Sequence, residues 1–488
     1  MKIGRITALV AALMAIAAQP ASAASPSLTT TTGLSPVFAS DVKNFITTCP
    51  GGAVNLGISS DAQTSSSVDG APGQTGTRSV TVSLVPGART VVTFTSAAGR
   101  SSHSIRCVPE DFPKFTVTGM LPASVGMMAF DNIRSRVLGL PARCSFAIIT
   151  DRRGVPIWWR EEALSLVNVF VTSRGKIALG HSGGPLVLRN PNGAQSGSSR
   201  ATAGTQDAHE AILTTRGTTL LATKTERSGI DLRFLGLDQS STVIDSNIQE
   251  VSSAGRLLWS WASATHLGLT ETILPQVLKT TEDGSLALVR KVDIAHVNSI
   301  AEDGTTGIVA SFRNVSGIFH IRKSDGQIDW KLGGTTTAKS LTVTGDAGVD
   351  PLRHLLGQHD ARLNKDGTLS VLDNGSTITR DGVSASHPER VLRFLINRSR
   401  KTAAVAEKLQ DPAIGSGSCC GSARRMSDGA WLVAWGGLPY IRAYSKSHAV
   451  VFALEFSPID FTYRATPVSS SQVSEATLIA GMDQMPRS

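Results

Sequence analysis

Short apolar runs alternate with polar residues along most of this chain, and turn residues interrupt them every ten positions or so. "SVTVSLV" (79–85) and "RTVVTFTS" (89–96) have the period of two that a half-buried strand requires. From about residue 143 the runs recur in a fixed order. "NVFVTSRG", "HEAILTTRG", "HVNSIAEDG", "HDARLNKDG" and "GSARRMSDG" each carry a strand into a polar turn ending at Gly175, Gly217, Gly304, Gly367 and Gly429. A second apolar strand follows every one: "KIALG", "TTLLAT", "TGIVAS", "TLSVLD" and "AWLVAW". Between these hairpins, "DRRGVPIW", "SSAGRLLW" and "KSDGQIDW" place Gly four residues before Trp158, Trp259 and Trp330. They read as outer hairpins whose tryptophan packs between neighbouring units.

This pattern predicts an all-β protein: a six-bladed β-propeller preceded by a small N-terminal β-sandwich. The repeat anchors, counted from Val167, are 42, 87, 63 and 62 residues apart. The long interval leaves room for a weak blade or an insertion, for which "VLKTTEDGSLALV" (277–289) is the candidate. A large sandwich would not explain the fixed phase. The expected division is a signal peptide at 1–23, a sandwich at 24–122, a connector at 123–142, the propeller at 143–466 and a tail at 467–488.

Composition adds three constraints. Lys2 and Arg5, the apolar "ALVAALMAIAA" and the small residues "ASA" form an export signal, so the chain is expected outside the cytoplasm of a bacterium, periplasmic or secreted. No later run is apolar enough to span a bilayer, so no membrane partner is expected once the signal is cleaved. The net charge of +9 falls to +7 without the signal, and its basic residues are scattered, which speaks against nucleic acid. Five cysteines in an exported chain suggest disulfides. Cys49 and Cys107 bracket one segment, Cys419 and Cys420 are adjacent, and Cys144 is left over.

The repeat gives the histidines a meaning they lack singly. The innermost strand of a propeller blade lines the central channel, so residues at one phase form a ring. Eight positions before each turn glycine stand Val167, His209, His296, His359 and Gly421. Three histidines in five slots, in a chain with ten, is a chance event on the order of one in ten thousand before choice of phase is counted. Asn298 shares the face of His296 in an ideal strand, and Arg313 ends the strand that follows. Gln358, Asp360 and Arg362 flank His359, and Arg424 and Arg425 lie in the hairpin after Gly421. Imidazoles with guanidinium and amide donors suit a tetrahedral anion. A three-histidine metal site is the rival. Arg313 would repel the metal, and no carboxylate shares the ring phase.

"HVNSI", "SFR" (311–313), "GQIDWKLGG" (326–334), "GQHDARL" (357–363), "VLDNGS" (371–376) and "GSARRMSDGAWLVAWG" (421–436) resemble the arylsulfotransferase family, as do "HSIRCVPEDFP" (103–113) and "GVPIWW" (154–159). The resemblance implies a propeller enzyme that moves a sulfuryl group from an aryl sulfate to a phenol, with no cofactor. His359 matches the histidine that is transiently sulfated, and His209 matches the family's first active-site histidine. His296, Asn298 and Arg313 match groups that hold the sulfuryl oxygens, and His296 or His209 would supply the proton for phenolate departure. Two other classes fit parts of the sequence. One is a metal- or quinone-dependent oxidoreductase, suggested by the Gly–Trp hairpins and adjacent cysteines; the other is a non-catalytic binding propeller.

Overall fold

The computed structural model describes residues 25–134, 145–163, 166–273, 276–281, 288–346, 354–379, 382–457 and 460–486. The expected signal peptide and Cys144 lie outside them. The described chain is all-β and propeller-like, and its few helices are short.

Four strands in sequence order pair antiparallel again and again. Leu166–Val171, Ile177–His181, Leu186–Arg189 and Gln195–Ser199 form one such sheet. Thr205–Leu213, Thr219–Ile230, Ser241–Val251 and Leu257–Ala262 form the next. The third runs Val297–Asp303, Gly307–Phe312, Gly317–Arg322 and Ile328–Gly333. The fourth runs His359–Leu363, Leu369–Asp373, Arg390–Asn397 and Thr402–Leu409. The fifth runs Ser422–Arg425, Trp431–Trp435, Tyr440–Tyr444 and Val450–Phe456. A further sheet joins both ends of the chain: Ala465–Val468 pairs Met127–Asp131, followed by Ser145–Thr150 and Pro156–Glu162. The first strands of these sheets neighbour one another in turn, and Ala465–Val468 lies beside both Ser422–Arg425 and Leu166–Val171. The innermost strands therefore surround a common axis.

Tryptophans seal the joints between sheets. Trp158 Nε1 donates to Pro191 O at 2.7 Å, and Trp259 Nε1 donates to Lys323 O at 2.9 Å, each in the following sheet. Trp330 packs with Leu341, Leu369 and Ala403 of the next. Burying such a side chain contributes roughly 2–3 kcal/mol from its apolar area.

Three boundaries differ from the sequence expectation because strand pairing decides them. Phe115–Gly119, placed in the sandwich, pairs with Val450–Phe456 as the outer strand of the fifth sheet. The segment read as a connector contains Met127–Asp131, an interior strand. The expected tail begins inside the innermost strand Ala465–Val468 and goes on to the helix Glu475–Gln484. The long repeat interval holds an added hairpin, Gln276–Thr281 with Leu288–Asp293, attached parallel to Ser241–Val251.

The N-terminal region has two small sheets over one apolar cluster built on Phe45, Leu56, Val92 and Ile105. A Cys49–Cys107 disulfide closes it. Asp483 of the terminal helix holds Arg106 at 2.8 Å and Arg89 at 2.7 Å, fastening this region to the ring of sheets.

Candidate active site

The ring histidines do not sit in ideal strands. Register slips between Asp207 and Ala211, between Val297 and Ser299, and between His359 and Arg362. His296 and Asp360 both have φ of 58°, in the left-handed region. Such bulges re-aim side chains at the cost of local strain. They also break the alternation that would put His296 and Asn298 on one face. Asn298 is fully buried and its Nδ2 donates to Gln358 O at 2.6 Å, tying the third sheet to the backbone before His359.

His359 is 1 % exposed. Its Nδ1 lies 2.9 Å from Gly357 O and 2.8 Å from Asn374 Oδ1. The Gly357 carbonyl can only accept, so Nδ1 carries the proton. The Asn374 amide is oriented from its other end, where Nδ2 donates to Glu389 Oε1 at 2.5 Å and to Cys420 O at 3.1 Å. Nε2 keeps its lone pair, which accepts the Cys420 N–H at 3.2 Å. Burial first, and then the nearby Arg313, pushes His359 well below the ordinary 6.5. Only glycine fits at 357: its φ is +66°, and a Cβ there would run into Ser376 O.

The other two histidines have carboxylate partners. His296 Nδ1 meets Asp293 Oδ2 at 2.7 Å, and His209 Nδ1 bonds Asp207 Oδ1. Their rings are 4.6 Å apart, so two imidazolium charges would repel. Burial lowers His296 to about 4 against the pull of Asp293. Lys224 pairs with Asp207 at 3.0 Å. Burial alone would raise Asp207, but His209 and Lys224 outweigh it and hold the carboxyl below its usual range.

Arg313 follows the strand Gly307–Phe312 in a single helical turn, with its N–H on His296 O at 2.9 Å. Its side chain is almost wholly buried; burial lowers it to about 10, with Asp293 opposing the shift. Nη1 donates to Asn314 Oδ1 at 2.9 Å and Nη2 to Ser418 O at 3.3 Å, while Nε has no partner among the described residues. A buried guanidinium held by neutral acceptors is a receptor for an anion.

Sequence reasoning missed several members of the site. Tyr463 is buried with its ring 5.6 Å from His209 and 6.4 Å from His359, and its hydroxyl has no partner among the described residues. Asn374 and Glu389 back His359. Asp207 and Asp293 stand two and three residues before their histidines, a signal present in "DAH" and "DIAH". The expectation that no carboxylate attends the ring looked only at the ring phase. Cys419 and Cys420 form a disulfide beside this network. Among the described residues no group of three or more His, Cys, Asp or Glu side chains has the geometry to hold a metal.

A propeller-like all-β fold thus gathers three imidazoles and a buried guanidinium at its axis. A sequence model of the arylsulfotransferase (ASST) family matches residues 186–457, more than half of the chain, which therefore belongs to that family. Family membership supports a sulfotransferase. None of the curated proteins compared with the chain matches it. Solved structures similar to it include a protein of unknown function from Bacteroides caccae, at 12 % identity over 72 % of this chain and 99 % of that one, with a TM-score of 0.41. The β-propeller domain of Myceliophteria thermophila Cps50 (Swd1) is 12 % identical over 60 % and 88 %, with a TM-score of 0.34. Virginiamycin B lyase from Staphylococcus aureus is 9 % identical over 73 % and 99 %, with a TM-score of 0.32.

Proposed function

We propose that the protein is an exported aryl-sulfate sulfotransferase that works through a sulfohistidine at His359, on a six-bladed propeller behind an N-terminal β-sandwich. The blade count rests on the six innermost strands neighbouring one another around the axis. Export is supported by the sequence of residues 1–23 and by two disulfides. The observation that carries the mechanism is the tautomer of His359: Nδ1–H held by Gly357 O, and Nε2 unprotonated, accepting the Cys420 N–H that an incoming sulfuryl group displaces.

The Nε2 lone pair attacks the sulfur of an aryl sulfate. The N–S bond forms as the S–O bond to the ring breaks, and the phenol oxygen leaves with the electron pair. Arg313 stabilises the charge on the sulfuryl oxygens, and the Nδ2 hydrogen of Asn298 that Gln358 does not take adds a donor. The departing oxygen needs a proton. His296 is neutral near pH 7, so His209, bonded to the Asp207 carboxylate, is the ring that delivers it. In the second half-reaction a phenol returns that proton to the His209–His296 pair as its oxygen attacks sulfur, and the N–S electrons go back to Nε2. Tyr463 offers the aromatic contact for donor and acceptor rings that the sequence did not disclose.

The test is release of 4-nitrophenol from 4-nitrophenyl sulfate with and without a phenol acceptor. Release should depend on the acceptor, fall at least 10³-fold in His359→Ala, and leave a sulfuryl group on His359 detectable by mass spectrometry when the acceptor is withheld. Release that is equal without acceptor, or undiminished in the variant, refutes the transferase reading.

A further inference from the structure

The central channel has a second end. On four of the innermost strands the residue three places beyond the ring position is Phe170, Ile212, Arg362 or Arg424. With Glu210, Asn168, Thr466 and Pro467 these line a cavity of about 250 Å³. Arg464 ties the cavity wall to the histidine layer, its guanidinium 4.9 Å from the centre of the Tyr463 ring. It is fully buried, with Nη1 on Glu210 Oε1 at 3.0 Å and Nη2 on Asn298 O at 2.5 Å. A ligand in the far cavity is thus separated from the sulfuryl site by a layer of ion pairs.

The charges in that layer do not cancel. Glu210 and Asp360 face three guanidinium groups, those of Arg362, Arg424 and Arg464. Arg362 is engaged at every nitrogen: Nε bonds Asp360 at 2.9 Å, Nη1 bonds Ile300 O at 2.6 Å, and Nη2 bonds Glu210. Arg424 is not. Its Nη2 reaches Asp360 Oδ1 at 2.8 Å, whereas Nε is a buried donor without a partner among the described residues. Burial, and then repulsion from Arg362, lowers Arg424 to about 9. Its side chain is 22 % exposed, and it opens on the cavity. An under-compensated cation in a partly dry site gains from an anion. Glu210, the acid in the cavity wall, is already matched by Arg362, Arg464 and Asn168. Apart from Thr466, the remaining walls are apolar: Phe170, Val171, Ile212 and Pro467.

We propose that this end of the channel is a second ligand site, for a small organic carboxylate whose head meets Arg424 and whose apolar body lies on Phe170, Ile212 and Pro467. The site is independent of sulfuryl transfer, since a carboxylate carries no group for His359 to take.

The probes are 4-fluorobenzoate and 4-bromobenzoate with the full mature chain. Fluorine NMR should report saturable binding of 4-fluorobenzoate that persists when 4-nitrophenyl sulfate occupies the histidine site. Arg424→Met should weaken that binding at least tenfold. Ile212→Trp, which fills the cavity and leaves every ion pair intact, should do the same and guards against a folding defect in the first variant. The anomalous bromine signal of soaked crystals should lie between Arg424 and Ile212. A bromine among His209, His296 and Tyr463 alone, binding abolished by aryl sulfate, or an affinity unchanged in both variants overturns the proposal. Loss of transferase activity in His359→Ala bears on the histidine site only and leaves these outcomes unaffected.

Discussion

The two sides of the histidine cluster use opposite partners for the same side chain. His209 and His296 each give Nδ1 to a buried aspartate, whereas His359 gives Nδ1 to an amide oxygen and a peptide carbonyl. A carboxylate favours the imidazolium and a neutral acceptor does not, while burial and Arg313 disfavour it further. One side is thus equipped to hold a proton and the other to keep Nε2 unprotonated. Nucleophile and acid are separated by their acceptors rather than by their residue type, and the backing of His359 is continued by Glu389. Burial pushes that carboxyl well above its usual range, which disfavours a negative charge behind Asn374.

The comparison breaks most severely if the cation on the His359 side is removed. Arg313→Met is expected to lower kcat by about 10²–10³, the usual loss when one charge-stabilising donor goes. It should also move the acid limb of kcat/KM upward. Arg313 is among the groups that depress His359, so without it the imidazole titrates nearer 6.5 and the neutral nucleophile is lost at a higher pH. A rate loss with an unmoved acid limb would mean that Arg313 binds the sulfuryl group without tuning the nucleophile.

On the other side, His209→Gln separates proton delivery from attack. Phenyl sulfate, whose phenol is a poor leaving group, should slow by about 10²-fold, while 4-nitrophenyl sulfate should slow only several-fold because its phenolate departs unaided. Equal losses for both donors would remove His209 from the acid role. His296→Gln should show the smaller leaving-group dependence of the two, given how far burial depresses it.

Much of this was readable in the chain because the repeat is a matter of local pattern. The hairpins from Gly175 to Gly429 announced both the strands and the shared phase of His209, His296 and His359. The partners were harder to see, for a physical reason. Asn374, backed by Glu389, reaches His359 across a sheet, and Tyr463 arrives just before the last innermost strand, which closes the ring from the far end of the chain. Such contacts depend on how the ends of the chain meet, which no window of sequence contains. The bulges escaped for a different reason. His296 in the left-handed region is a non-glycine exception that the strand pattern around it gives no reason to expect.

The subtlest change makes the two sides alike. Asn374→Asp places a carboxyl where the amide oxygen now meets His359 Nδ1, with its far oxygen towards Glu389, a carboxyl that burial pushes up. An aspartate there favours the imidazolium, so the folded-state value of His359 rises. The sign follows from the nucleophile: activity needs neutral His359, so the acid limb of kcat/KM moves to higher pH, while the plateau rate stays within about tenfold because Gly357 O still fixes the tautomer. The same shift should appear as stability. A histidine buried in its neutral form destabilises the fold as pH drops below 6.5, because the unfolded chain then binds the extra proton. Raising its folded value should flatten that acid-side loss in a thermal melt. A wild-type acid limb and a wild-type melting profile in the variant would show that the amide at 374 only positions the ring, and that the contrast between the three histidines rests on Arg313 and burial alone.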